Sequence, residues 1–564
     1  MTLSRRDADA ALTAPGQPFE TVDVEVRGLK LRAWKATPST LVDILQTSRS
    51  HGDATFIVYE DEHLSFDRHF RTAAHLAHVL RDRFGVRPGD RVAIAMRNFP
   101  EWSLAFWAAT AAGAVVVPLN GWWSAAELHY GLEDSGSTLL FCDAEREVRL
   151  AGEWAGLPAL RHVIVARPAA EVAAGHFRFD DVVGDVPADV DVPAIAIDTD
   201  DDATIFYTSG TTGSPKGALG THRNIGTNPI SLLFVAVRNA VRAGLDPAGD
   251  GTQGATLLSV PLFHATGCHS ILLTSALVGG KIVMMHRWEP GRALQLIERE
   301  HITTFGGVPA MVMQVLDHPD FETRDTSSVK SVGYGGAPAP PDLVRRIGAH
   351  FPLSTPSNGY GLTETSSMST MNQGADYVAK PDSVGPPVPV VEVQVVDPGG
   401  EPVPVGAIGE LWIKGPNVIK GYWHKPEATA AAITDGWLHT GDVARLDDEG
   451  FVYIVDRAKD MLIRGGENIY CIEIETVLYD HPAVADAAVI GIPHDVLGEE
   501  VGAVIQRRAG IDADEAELQA WVAARLAAFK VPVRIWFTDE PLPRNPAGKI
   551  LKRQLRDEVV PASQ

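Results

Sequence analysis

The sequence predicts an α/β protein: a large N-terminal domain of α/β layers that contains a small β subdomain, followed by a small, mobile α+β C-terminal domain. Three observations carry this. Short apolar runs alternate with Ala/Leu-rich amphipathic stretches through most of the chain, closely spaced strands and turns replace them from about Val384 to Val455, and a mixed pattern resumes beyond Asp456. The 564 residues also exceed what one hydrophobic core organises.

In chain order, Arg91-Val-Ala-Ile-Ala, Ala114-Val-Val-Val, Ser137-Thr-Leu-Leu-Phe, Thr204-Ile-Phe-Tyr and Lys281-Ile-Val-Met-Met read as short buried strands. Two charge-free stretches, Trp102 to Ala126 and Ala255 to Gly280, approach membrane-spanning length. Internal Gly, Pro, Asn and His residues break both into a helix and shorter pieces, so no transmembrane segment is expected. Val390-Val-Glu-Val-Gln-Val-Val, Gly409-Glu-Leu-Trp-Ile and Gly450-Phe-Val-Tyr-Ile-Val mark the β subdomain, about 384–455, within a first domain of 1–455. The second domain, 456–564, shows a helix around Glu473 to Asp480, strands at Ala485 to Ile492 and Val501 to Gln506, and a helix at Ala516 to Phe529. The junction Val455-Asp-Arg-Ala-Lys-Asp is short and charged, which suits a hinge.

A formal net charge of −23 excludes a nucleic-acid partner, which demands a positive field. Local attraction for an anion is available where Arg544, Lys549, Lys552, Arg553 and Arg556 fall together without an acid between them. Cys142, Cys268 and Cys471 lie far apart, in no disulfide or zinc spacing, and the N-terminus has no apolar signal core. A reducing, cytoplasmic setting follows, with peripheral membrane contact and a homodimer left open.

The most informative segment is Tyr207-Thr-Ser-Gly-Thr-Thr-Gly-Ser-Pro-Lys-Gly217, after the strand-like Ala203-Thr-Ile-Phe. Gly210, Gly213 and Gly217 allow tight turns, Thr208, Ser209, Thr211 and Thr212 offer hydroxyl donors, and Lys216 adds a positive charge, a composition suited to phosphate oxygens. The chain contains no GxxxxGK[ST] spacing, which weakens the kinase and NTPase readings. The loop resembles the phosphate loop of the adenylate-forming superfamily, of the acyl-CoA synthetase or fatty-acid–CoA ligase type, and further family motifs follow in order.

The resemblance assigns the residues as follows. Asn358-Gly-Tyr-Gly-Leu-Thr-Glu-Thr365 is similar to the second nucleotide motif: Asn358, Gly359, Gly361 and Leu362 border the nucleotide, Tyr360 stacks on adenine, Thr363 meets the α-phosphate, and Glu364 with Thr208 meets Mg²⁺. A strand-turn-helix junction capped by Thr363 explains the same residues without a ligand. Gly335-Gly336-Ala337-Pro338 resembles the element beside the adenine. In Trp437-Leu-His-Thr-Gly-Asp442, Asp442 accepts from the ribose hydroxyls, and Arg457 contacts ribose and phosphate. A Gly-Asp turn and a surface ion pair are the plainer alternatives. Lys549, in Pro543-Arg-Asn-Pro-Ala-Gly-Lys-Ile-Leu551, matches the catalytic lysine that bridges carboxylate and α-phosphate.

Lys459 matches the hinge position, and Gly465 and Gly466 the segment that leaves room for the pantetheine arm of coenzyme A. Cys471 reads as a small buried residue. His264, in Pro261-Leu-Phe-His264, resembles the gate of the acyl pocket, although a hydrogen-bonded core histidine fits it too. Gly306, Val308, Gly333 and Tyr334 belong by resemblance to that pocket. The implied activity is an ATP- and Mg²⁺-dependent ligation of a carboxylic acid to coenzyme A through an acyl-adenylate, with a medium- or long-chain fatty acid as first choice. The alternatives are an aryl-acid CoA ligase, a fatty acyl-AMP ligase and, from another class, a non-catalytic nucleotide-binding regulator.

Overall fold

The computed structural model describes residues 3–208, 215–336, 342–457, 460–464, 467–494, 496–508, 510–545 and 549–560. Two eight-stranded sheets dominate the larger part. In the first the order is Gly421–Tyr422, Lys216–Thr221, Asp202–Thr208, Val115–Pro118, Arg91–Ala95, Leu139–Asp143, His162–Ala166 and Phe177–Arg178. Its interior pairs are parallel, while the edge carrying Lys216–Thr221 is antiparallel. In the second the order is Thr370–Gln373, Thr355–Tyr360, Ser331–Gly335, Thr304–Gly307, Ala255–Leu258, Lys281–Met284, Thr55–Tyr59 and Glu62–Ser65, again parallel inside and antiparallel at both edges.

Parallel strands are buried on both faces, which is why Val92-Ala-Ile-Ala95 and Val115-Val-Val117 are apolar without alternation. Helices Phe66–Asp82 and Pro100–Ala111 lie between the sheets, sharing one core with Phe56 and Ile282 of one and Val92 and Ile94 of the other. The second helix starts with Pro100 at its first position and buries every residue except Glu101. The charge-free stretch beginning at Trp102 thus divides into this helix and strand Val115–Pro118. The stretch from Ala255 divides into strand Ala255–Leu258, π-helix Thr266–Leu272 and helix Leu273–Val278. Among the described residues no helix is long and apolar enough to cross a membrane.

A smaller antiparallel sheet of Glu392–Val396, Gly409–Lys414, Trp437–Leu446, Ile433–Thr434 and Val452–Arg457 packs on helix His222–Arg242 through Val391, Leu411, Phe234 and Val235. Strand Gly421–Tyr422 leaves this region to pair with Lys216–Thr221. Beyond residue 457, Val484–His494 and Gly498–Arg507 form a long hairpin with Arg534–Thr538 parallel to it, backed by helices Cys471–Tyr479 and Glu515–Ala523. That last helix stops short of the expected Phe529: it ends at Ala523, and the chain then forms the separate turn Ala528–Lys530.

Candidate active site

The segment expected to meet phosphate is mounted on a β-hairpin. Thr208 pairs with Lys216 and Tyr207 with Gly217, so the strand entering the loop and the strand leaving it are neighbours. Ser209, Gly210, Thr211, Thr212 and Gly213 lie outside the described residues. Both ends of the hairpin are anchored on one helix: the Tyr207 hydroxyl donates to Asp134 Oδ2 at 2.7 Å, and the Tyr130 hydroxyl donates to the Pro215 carbonyl at 2.9 Å. Burial, and then the Asp134 carboxylate, push the Tyr207 phenol well above its ordinary pKa, so it remains a donor.

The second motif leaves strand Thr355–Tyr360 and turns sharply through Thr363–Thr365. The Thr365 hydroxyl accepts from the Leu362 N–H at 2.8 Å, so Thr365 holds the turn and Thr363 is not its cap. Ser366 and Ser367 follow with φ of 56° and 96°. A Cβ on Gly361 would lie 1.5 Å from the Ser367 carbonyl oxygen, so the turn requires glycine there. A buried polar set grips it from outside: Asn224 Nδ2 donates to Ser366 Oγ, and Asn228 Oδ1 accepts from the Met368 N–H at 3.1 Å. Thr363 and Glu364 thereby face a cleft.

That cleft, of about 1380 Å³, is where the elements converge. Thr208, Lys216, His264, Gly336, Gly361, Leu362, Thr363, Glu364, Arg457 and Lys549 all line it. Asn545 and Lys549 bind each other twice: the Lys549 N–H donates to Asn545 Oδ1 at 2.9 Å and the Asn545 N–H to the Lys549 carbonyl at 2.8 Å, which fixes the lysine backbone. Of the basic tail, Lys552, Arg553 and Arg556 also border the cleft, Lys552 while paired with Glu475 at 2.7 Å, whereas Arg544 pairs with Asp486. Gly336, at φ 75°, borders the cleft, while Ala337 and Pro338 lie outside the described residues.

Asp442 sits deeper than an open ribose site suggests. It is 2% exposed; Arg457 Nε meets its Oδ1 at 2.9 Å and the Tyr360 hydroxyl donates to its Oδ2 at 2.6 Å. Tyr360 is thus tied to Asp442, and Asn358 is buried beside it. Gly335 and Gly359 serve strand packing: a Cβ on Gly335 would lie 2.3 Å from the Gly359 carbonyl oxygen.

The acyl side departs from expectation. His264 lines the cleft, but Tyr334 does not. In strand Ser331–Gly335 alternate residues face opposite ways, and Val332 and Tyr334 face a core with Phe351 and Tyr377, where the two tyrosine hydroxyls meet at 2.6 Å. Val308 is 5% exposed ahead of helix Pro309–Leu316 and is likewise absent from the cleft wall. Gly306 and Gly333 are register partners so close that a Cβ on Gly306 would lie 1.6 Å from the Gly333 oxygen; their missing side chains serve strand approach. Ala265 and Thr266, which follow His264, line the cleft with it. Burial lowers the His264 pKa to about 4, and its Nε2 has no hydrogen-bond partner among the described residues, so a neutral imidazole faces the site.

At the junction near residue 456, Asp456 is 1% exposed and accepts from the N–H groups of Cys471 and Arg457. Burial pushes its carboxyl up to about 6. Cys471 is fully buried, and burial raises its thiol. Lys459, Gly465 and Gly466 lie outside the described residues.

Sequence reading missed Tyr422, His439 and Thr440, which line the cleft, and Asp134 beneath it. His439 and Thr440 lie inside the quoted Trp437–Asp442 motif and could have been taken from it. The Tyr422 hydroxyl donates to Glu364 Oε1 at 2.9 Å across 58 residues of sequence, a contact with no local signal.

Residues 44–423 match the family described as AMP-binding enzyme, and residues 473–549 match the AMP-binding enzyme C-terminal domain. A feruloyl-CoA synthase of an Amycolatopsis species is 38% identical, over 91% of this chain and 97% of its own. A long-chain-fatty-acid–CoA ligase of Bacillus subtilis is 33% identical, over 92% of this chain and 94% of its own. The solved structure of the anthranilate CoA ligase AuaEII with anthranoyl-AMP superimposes with a TM-score of 0.84 at 26% identity, covering 93% of this chain and 98% of that one. With its Tyr207–Gly217 hairpin, Thr-Glu turn and C-terminal lysine opening on one cleft, the chain belongs to the AMP-binding enzymes, as an adenylate-forming acid–thiol ligase of the acyl-CoA synthetase type.

Proposed function

We propose that the cleft activates an aromatic carboxylic acid, of the arylalkenoate or benzoate class, as its acyl-adenylate and passes it to coenzyme A. One observation carries the assignment of the chemistry to this place: Lys216, Thr363, Glu364, Arg457 and Lys549, drawn from separate parts of the chain, open on the same cleft. Lys216 and Arg457 meet the phosphates and ribose. Lys549 sits between the acid carboxylate and the α-phosphate, offsetting the repulsion of two anions as they approach. Neutral His264 lines the acid side, where a cationic side chain would compete with Lys549 for the carboxylate.

The donor set suits Mg²⁺ held jointly with ATP. Glu364 provides a hard oxygen, and no group of three or more acids, histidines or cysteines that could hold a metal ion is found among the described residues, which fits a shell shared with phosphate oxygens. When bound, the ion neutralises phosphate charge; Glu364 orients it.

Support for an aromatic acid comes from the relatives named for feruloyl and anthranilate substrates. A medium- or long-chain fatty acid is the second reading, favoured by the Bacillus relative. The test is a panel of hydroxycinnamic, benzoic and C8–C16 fatty acids with ATP and Mg²⁺, with and without coenzyme A, recording AMP and thioester. Turnover confined to alkyl acids would reverse the order of the two readings, and AMP without thioester would remove coenzyme A.

A further inference from the structure

The segment that grips Glu364 comes from a different part of the fold. Strand Gly421–Tyr422 pairs antiparallel with Lys216–Thr221, Ala218 opposite Tyr422, and is pinned on both sides: the Lys420 N–H donates to the Leu219 carbonyl at 2.9 Å and the Trp423 N–H to the Gly217 carbonyl at 2.8 Å. The Tyr422 N–H donates to Thr429 Oγ1 at 2.9 Å. Gly421 has φ 153°, and a Cβ there would fall 2.6 Å from the Thr429 side chain, so the approach depends on glycine. The backbone geometry of Tyr422 is therefore fixed before any side-chain contact is considered.

From that mount the side chain reaches two functional groups at once. Its hydroxyl donates to Glu364 Oε1 at 2.9 Å, and the Lys216 ammonium lies 5.2 Å from the centre of its ring. Two residues before the strand, the Ile419 N–H donates to the Glu364 carbonyl at 3.0 Å, so the same segment holds Glu364 by main chain and by carboxylate. Tyr422, Lys216 and Glu364 all border the cleft. Lys216 makes no ion pair among the described residues, which leaves its charge to an anionic ligand. Burial and the Glu364 carboxylate keep the phenol protonated at any working pH.

We infer that Tyr422 is a positioning residue for the nucleotide end of the cleft, its hydroxyl aiming the Glu364 carboxylate at the metal–phosphate group and its ring holding the Lys216 ammonium over the phosphates. A carboxylate that meets a metal is oriented by the hydrogen bond to its other oxygen, and loss of such a partner typically weakens metal affinity about 10–100-fold. The ring sets the spacing between a cation and an anion that must serve one triphosphate together. The inference rests on the reading of Glu364 and Lys216 proposed above.

The test uses the full chain and equilibrium binding of ATP, by calorimetry, across a series of free Mg²⁺ concentrations and in EDTA. Tyr422→Phe removes the hydroxyl and keeps the ring. It should raise the free Mg²⁺ needed for half-maximal tightening of ATP by about tenfold while metal-free ATP affinity and the melting temperature stay near wild type. Tyr422→Leu should in addition weaken metal-free ATP binding several-fold, as Lys216→Met does. Glu364→Gln supplies the reference: adding Tyr422→Phe to it should produce no further Mg²⁺ shift. If Glu364→Gln shifts the Mg²⁺ dependence and Tyr422→Phe does not, the role of Tyr422 is overturned while Glu364 stands. If neither does, the reading of Glu364 falls and the inference with it. Equal losses with and without Mg²⁺, together with a lower melting temperature, would make Tyr422 a packing residue and overturn the positioning role.

Discussion

Arg457 and Asp442 are register partners of adjacent antiparallel strands, and the guanidinium Nε meets the carboxylate Oδ1 at 2.9 Å. The other oxygen is taken by the Tyr360 hydroxyl, so a single carboxylate ties Tyr360 to the arginine that precedes the C-terminal part of the chain. Asp442→Ala strands both partners. The lost charge-assisted contacts correspond to about 2–3 kcal/mol, or roughly 10²-fold in ATP affinity. An ATP titration that matches wild type would detach Asp442 from nucleotide binding.

Lys549→Ala should lower acid-dependent pyrophosphate release by about 10²-fold or more, the scale of removing one preorganised electrostatic stabiliser. Thioester formation from supplied acyl-adenylate should change far less, because that half-reaction joins no second anion to the α-phosphate. Unchanged pyrophosphate release would refute the assignment.

Gly361→Ala should damage the catalytic turn without touching a ligand. The new methyl would meet the Ser367 carbonyl, which follows two left-handed serines, and the turn must open to accept it. Displacing Thr363 and Glu364 by about an ångström corresponds to roughly 10²-fold in adenylation rate. Steady-state kinetics on the folded variant check this; full activity would show that the turn tolerates the shift.

Acid stability should follow four buried histidines. Burial lowers His69 to about 3, and His222, His264 and His269 to about 4. Unfolded histidines take up protons near 6.5 and the folded ones only below 4, so between these values the unfolded state binds more protons and stability falls as pH drops, by up to about 1.4 kcal/mol per pH unit for each histidine. Asp456 works in the opposite sense: its folded pKa of about 6 lies above the unfolded one, so its contribution falls as pH rises toward 6. Four groups outweigh one, and melting temperatures should decline from pH 6.5 to 4. A flat profile over that window would show that these histidines are not buried neutral.

Lys552→Met should destabilise the C-terminal sheet. It leaves the Glu475 carboxylate, 7% exposed, without its 2.7 Å partner; removing one member of such a pair costs about 2–3 kcal/mol once the lysine's 20% exposure is allowed for. Adding Glu475→Gln should recover part of the loss, giving a non-additive pair in denaturant unfolding. Additive losses would mean the two side chains act independently.

The alternation of buried strands with helices, the change of texture at about Val384 and the nucleotide motifs were legible in the sequence because each depends on neighbours along the chain. A tight turn needs its own glycines, a parallel strand its own apolar run, and a phosphate loop its own hydroxyls and lysine, as at Tyr207 to Gly217. What depended on residues far apart was not legible. Tyr334 carries no mark of the sheet face on which it lies, and strand parity turned it toward Tyr377 and away from the cleft. Asp442 reads as an open acceptor until Tyr360 and Arg457 are folded against it. Tyr422 reaches Glu364, and Asp134 reaches Tyr207, only because the Gly421–Tyr422 strand crosses to the edge of another sheet and the helices pack beneath it. Composition and local pattern determined what chemistry the chain can carry; side-chain direction and long-range approach, set by sheet order and packing, decided which residues stand at the cleft.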